Sequence, residues 1–222
     1  MSVADAAERL QVTPRQVARL ANRGELTVAR TVGGVLLLDG ASVHRRAQAR
    51  PHRGRPLSAA AAWAALALLS DESVDWVDPP VLSRLRARLR RSSAEEVAWL
   101  VRRRMARVKR MQGWGDNTGL LATGTSVLAD PYWGELFGLA TVHRDDFEGY
   151  VAEDRVESTA RDLGLIEAPR GEYYLRVVPT EARWPVDEIY IATVAVDLME
   201  SLDTREAAAG HRVLTQLLGQ VS

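Results

Sequence analysis

The sequence predicts a mainly α fold with small β elements, an α+β class. Three observations carry that expectation. Most of the chain falls into helix-length segments whose apolar residues recur every three or four positions, several opened by a capping residue or a proline. The β-rich runs are short and lie beside glycines. Charge is polarised along the chain: Met1 to Gln112 holds 21 Lys and Arg against 10 Asp and Glu, whereas Gly113 to Ser222 holds 8 against 19. The resulting +11 and −11 cancel over the 222 residues. A basic half suited to a polyanion, joined to an acidic half that is not, is the simple reading.

Within residues 1–49, Val3 to Leu10 sets Val3, Ala6, Ala7 and Leu10 on one helical face. Gln11-Val12 breaks that helix, and Thr13-Pro14 reads as an N-cap followed by proline at the first helical position. The second helix, Pro14 to Asn22, turns Val17 and Leu20 inward and Arg15, Gln16, Arg19 and Arg23 outward. Gly24 suits the left-handed residue that follows a helix. Leu26 to Asp39 reads as two short strands around Gly33-Gly34, and Ala41 to Ala49 as a closing helix. Helix, turn, helix and wing stand in the order of a winged helix-turn-helix. On that reading Arg15, Gln16 and Arg19 meet base edges in the major groove of double-stranded DNA, while Thr13, Arg23 and Arg30 position on phosphates. A helical hairpin used only for packing is the other reading, but packing does not require outward arginine and glutamine.

Val12-Thr13-Pro14-Arg15-Gln16-Val17, followed by Gly24-Glu25-Leu26, resembles the DNA-binding domain of the MerR and excisionase families over about the first fifth of the chain. The resemblance implies a DNA-binding winged helix-turn-helix. It departs at Val35 to Leu38, apolar where many relatives carry a basic or aromatic residue, and an apolar wing fits burial against the next domain.

Residues 50–57 read as a basic linker, with Pro51 and Pro56 among Arg50, Arg53 and Arg55. Arg53-Gly54-Arg55-Pro56 is similar to the core of AT-hooks, which implies Arg53 and Arg55 in a narrow minor groove; a loop that touches phosphates or nothing is the alternative. Residues 58–112 read as a basic helical region. Ser58 caps a helix from Ala59 to Leu69, with Trp63, Leu66 and Leu69 in the core. Asp78-Pro79-Pro80 opens another, in which Leu82, Leu85 and Leu89 lie opposite Arg84, Arg86, Arg88, Arg90 and Arg91. Ser92 with Glu95 has the capping-box spacing for a long helix to about Met111. That helix would turn Val97, Val101, Met105 and Val108 inward and Arg102, Arg103, Arg104, Arg107, Lys109 and Arg110 outward. Its basic face reads as a solvated surface, a second phosphate-contacting surface or a dock for an acidic partner.

Residues 113–222 read as an acidic α+β interaction domain. A loop-rich stretch runs to Tyr132-Trp133, followed by a strand at Glu148 to Val151, a helix from Arg155 to Leu163 and a strand at Tyr173 to Val178. Ile189 to Leu202 turns helical, and Asp203 caps a last helix to Leu218. Leu121 to Ser126, Tyr174 to Val178 and Asp197 to Glu206 resemble segments of the C-terminal domain of AbiEi-type antitoxins and related regulators, over about half the chain. The match departs at Thr123, where that family has serine. The resemblance implies a protein that represses its own operon and counteracts a nucleotidyltransferase-type toxin, through motifs that are not catalytic.

No cysteine is present, which excludes disulfides, iron–sulfur clusters and thiol redox sensing. His44, His52, His143 and His211 lack metal-ligand spacing, and no Gly-x-Ser-x-Gly elbow occurs. Gly113, Gly115 and Gly119 lack the Gly-Lys-Ser/Thr of a phosphate loop. Adjacent Asp145 and Asp146 point apart. No catalytic residue, metal or cofactor is therefore expected, and the chain does not read as an enzyme. Trp76, Trp114, Trp133 and Trp184 read either as core or as the walls of a small-molecule pocket. Met1-Ser2 leads straight into an amphipathic helix, and the apolar run Ala59 to Leu69 is too short for a membrane span, so a cytoplasmic protein is expected. The function expected is a sequence-specific DNA-binding transcriptional regulator, a repressor. The alternative is an antitoxin, and an excisionase-like DNA bender ranks third. The partners expected are double-stranded DNA and, for the acidic half, a toxin protein or a small-molecule effector; the oligomeric state stays open.

Overall fold

The structure is a computed structural model that describes residues 1–10, 12–22, 26–32, 35–48, 55–113, 117, 119–141 and 145–221. The chain mixes α and β structure and divides into two compact units, Met1–Arg53 and Gly54–Ser222.

In the first unit, α1 (Val3–Leu10) and α2 (Pro14–Asn22) precede an antiparallel pair, β1 (Val28–Val32) and β2 (Val35–Leu38), and α3 (Gly40–Gln48). Each helix buries one stripe. Ala6, Ala7 and Leu10 from α1 meet Val17, Leu20 and Ala21 from α2, with Leu26, Leu38 and Val43 completing the cluster. The Met1 amino group donates to the Leu38 carbonyl at 3.0 Å, tying the chain start to β2. β2 is apolar for a reason internal to this unit: Leu38 is buried and Leu36 packs against the same cluster. Gln11, Arg23 to Glu25 and Gly33-Gly34, on which the helix stop and the hairpin turn were expected, lie outside the described residues.

The second unit begins with α4 (Ala59–Leu69), α5 (Pro79–Leu89) and α6 (Ala94–Leu100). A 3₁₀ turn at Arg102–Arg104 leads to β3 (Arg107–Gln112), β4 (Leu121–Ala122), a second 3₁₀ turn at Gly124–Ala129 and α7 (Pro131–Phe137). Then come β5 (Phe147–Ala152), a 3₁₀ turn at Glu153–Arg155, α8 (Val156–Asp162), β6 (Ile166–Glu167), β7 (Tyr173–Val178), α9 (Ile191–Met199) and α10 (Thr204–Gln220). The sheet order is β4-β5-β7-β3-β6, with β5 and β7 parallel and the other pairs antiparallel. Alternation along β7 gives the sheet two packed faces. Tyr173, Leu175 and Val177 join Val156, Leu163 and Leu165, whereas Val178 joins the larger helical cluster. α4 lies in that larger cluster and buries eight residues, Trp63 among them, which accounts for its apolar composition on every side. Among the described residues no helix is long and apolar enough to cross a membrane.

Three expectations change here. The long helix to Met111 ends at Leu100, and its C-terminal half is the strand β3. Its capping box is one residue later than expected: Ser93 Oγ accepts from the Glu96 amide at 3.3 Å and Glu96 accepts from the Ser93 amide at 3.0 Å. Ser92 instead donates to the Arg88 carbonyl at 3.0 Å. The strand period leaves Val108, expected inward, 49% exposed, and the 3₁₀ turn before the strand carries Arg104, expected outward, wholly into the interior. Third, residues 58–112 and 113–222 share one core, because β3 pairs with β6 and β7 and α4 packs with α9. Gly171 is needed just before β7, since a Cβ there would sit 2.0 Å from the Met111 carbonyl oxygen.

Candidate functional site

The surface of α2 is built by its first turn. Thr13 Oγ1 accepts from the Gln16 amide at 3.2 Å, and the Thr13 carbonyl accepts from the Val17 amide at 3.1 Å. With Val17, Leu20 and Ala21 buried, Arg15, Gln16 and Arg19 are left exposed on the opposite face. Thr13 and, on β1, Arg30 are also exposed. Arg23 and Arg53 lie outside the described residues, and Arg55 is exposed at the start of the second unit's described part. The fold regroups the charge. Met1–Arg53 holds 9 Lys and Arg against 4 Asp and Glu, a net +5, and the remainder holds 20 against 25, a net −5. In α1, Arg9 Nη2 lies 2.9 Å from His44 Nδ1 of α3, and burial together with that guanidinium holds the imidazole below its ordinary pKa.

Several basic side chains of the second unit are engaged within it. Arg84 and Arg91 donate back to the Pro80 and Ala87 carbonyls at 3.2 and 3.0 Å. Arg102 stacks 3.8 Å over Trp99, Arg107 pairs with Glu153 at 2.6 Å and Lys109 with Glu167 at 3.1 Å. Arg110 lies 4.6 Å over the Tyr174 ring and donates to the Gly171 carbonyl at 2.7 Å.

A second candidate site is interior. Arg104 donates from Nε to Tyr150 Oη at 2.8 Å and to Asp197 Oδ1 at 3.1 Å, and from Nη2 to Glu200 at 2.7 Å. Arg176 donates to Glu148 at 2.6 Å and to the second Glu200 oxygen at 2.8 Å, and lies 3.2 Å from Asp197. Thr123 and Tyr150 hydroxyls donate to the two Asp197 oxygens at 2.5 and 3.1 Å. Burial pushes the Tyr150 phenol far above its ordinary range, so it stays a neutral donor. Burial also raises Glu148, and the neighbouring Asp197 and Glu200 charges add to that, against the opposing pull of Arg176. Burial alone would raise Glu200 too, but the charges of Arg104 and Arg176 outweigh it and bring this carboxyl down to about 2. Two guanidiniums thus face a cluster in which one carboxyl is held toward neutrality and another is held ionised. This arrangement clamps β5, β7, α9 and the Arg102–Arg104 turn together.

Thr123, Arg176, Asp197 and Glu200 come from the three segments that carried the resemblance to AbiEi-type antitoxins, and the fold gathers them into one network. Arg104, Glu148 and Tyr150 were not anticipated. One signal was available: Arg176 and Asp197 are the single charged residues of Tyr173–Val178 and Ile191–Met199.

Of the four tryptophans considered for a pocket, Trp76 and Trp184 line a cleft of about 520 Å³ and Trp133 lines one of about 340 Å³ that shares Val186 and Tyr190 with it. Trp114 lies outside the described residues, as do His52 and His143. His211 Nε2 lies 2.9 Å from Glu95, and among the described residues no group of three His, Cys, Asp or Glu side chains is placed to hold a metal. Comparison of the chain with protein-family models, with curated proteins and with solved structures finds no match.

Proposed function

We propose that the chain is a sequence-specific DNA-binding transcriptional regulator, a repressor, that reads the major groove with α2. The observation that carries this reading is the two-sidedness of α2: a Thr13 cap, a packed face of Val17, Leu20 and Ala21, and a solvent face of Arg15, Gln16 and Arg19. Arginine and glutamine present the bidentate donors and acceptors that guanine and adenine edges match. The order of two helices and a hairpin supports a winged helix-turn-helix, in which Thr13, Arg23 and Arg30 hold phosphates. The net +5 of this unit favours a polyanion, and Arg53 with Arg55 reaches an adjacent minor groove. The test is selection of duplexes by the full chain from a random pool. Enrichment of one sequence supports the reading; retention of every duplex equally refutes it.

The second reading, an antitoxin against a nucleotidyltransferase-type toxin, is favoured by the convergence of three separate sequence segments on the Arg104–Asp197 network. Residues that resemble a family and also build one interior lock belong to the scaffold that such a domain needs. Co-expression separates the two readings: a toxin encoded beside this chain should arrest growth alone and not with it.

A further inference from the structure

We propose that the cleft walled by Trp76, Trp184 and Tyr190 is a binding site for a small organic cation. The cleft is built, not incidental. Trp184 and Tyr190 pack against the fully buried Trp63, with ring centroids 5.8 and 6.4 Å away, and Trp63 donates its indole N–H to the Arg104 carbonyl at 2.9 Å. Trp76 is fixed by its own indole N–H, which donates to the Ala60 carbonyl at 3.2 Å. Three large rings are therefore held in place around about 520 Å³, so a ligand has little side-chain ordering left to do.

The charge around these rings selects the ligand. Asp75 and Glu181 line the same cleft, with Arg183 as the cation among its lining residues. The adjoining cleft, which meets it at Val186 and Tyr190, adds Glu72, Asp187 and Glu188, together with the edge-to-face pair Tyr132 and Trp133 at 5.5 Å. Five carboxylates against one guanidinium among the residues lining the two clefts set a negative field around half-buried, electron-rich aromatic rings. Burial raises the Tyr190 phenol and the Glu72 charge raises it further, so this wall residue stays neutral. Aromatic rings with flanking carboxylates attract a weakly hydrated cation. An anion would meet repulsion, and a neutral solute would gain only the apolar contact. Tyr132 and Val186, both 64% exposed, leave the paired clefts open to solvent.

The experiment is a calorimetric titration of the full chain with choline and with 3,3-dimethylbutan-1-ol, its uncharged isostere. The expected result is at least tenfold tighter binding of the cation, weakened by added salt. Asp75 and Glu181 are exposed, so Asp75→Asn with Glu181→Gln leaves the fold intact. This double variant should weaken choline three- to tenfold without changing the isostere, and Trp76→Leu should weaken choline about tenfold. Equal affinity for the two probes, no detectable binding of choline, or binding that both variants leave unchanged overturns the proposal.

Discussion

Arg104 and Asp197, 93 residues apart in the chain, form an ion pair in which neither side chain reaches solvent. A buried pair of this kind is not a simple gain, because both charges lose their hydration. What makes it tolerable here is saturation: Asp197 also accepts from Thr123 and Tyr150, and Arg104 also serves Glu200. Arg104→Met should therefore cost about 3 kcal/mol in urea unfolding, because it leaves the buried Asp197 carboxylate and Glu200 to share Arg176 as their remaining cation. Paired with Asp197→Asn, the loss should fall short of the sum of the single changes. A cost under ~1 kcal/mol, or strict additivity, would show that the cluster does not hold the fold together.

Glu200 supplies a pH test. Its carboxyl is brought from 4.5 to about 2 in the folded protein, so the unfolded chain binds the extra proton between those values. The stabilisation is present above the unfolded pKa and is lost as pH falls through that window. Glu200→Gln should thus be less stable than the parent near pH 6, with the gap closing toward pH 2. Unfolding curves for both proteins across that range check it; a constant gap would rule out the linkage.

Two glycines in α10 should respond to alanine with opposite signs. A Cβ on Gly210 would meet the Ala195 carbonyl at 2.4 Å and the Met199 amide at 2.9 Å, because α10 crosses α9 at backbone contact. Overpacking of ~1–3 kcal/mol outweighs the ~1 kcal/mol that alanine gains in a helix, so Gly210→Ala destabilises. At Gly219 nothing lies within 4 Å of the added atom, and Gly219→Ala should stabilise by up to ~1 kcal/mol. Thermal melts of the two variants decide this by sign alone.

For the DNA reading, Arg15→Ala should cost ~1–3 kcal/mol on the selected duplex and relax preference at one base pair. Arg15 is exposed and its side chain is not part of the first unit's core, so the fold should survive. Equal weakening on selected and scrambled duplexes would leave Arg15 as a phosphate contact and remove its role in reading bases.

Local signals determined much of this protein. α1, α2 and α4 run over the residues that apolar spacing, the Thr13 and Ser58 caps and Pro14 indicate, and Asp203 does cap α10. Those features depend on neighbours within a turn or two, so a linear reading contains them. The solvent face of α2 was legible for the same reason.

Tertiary structure alone decided the rest. Arg102 to Gln112 carries a basic pattern compatible with a helix, and it becomes a turn and a strand because β7 and β6 offer backbone partners more than fifty residues away. Once β3 joins that sheet, Arg104 is carried inside to meet Asp197, and the charge polarity read along the chain no longer divides the fold. Pairing across such distances is set by which surfaces can be buried together, a property of the whole packed chain that no local window of sequence contains.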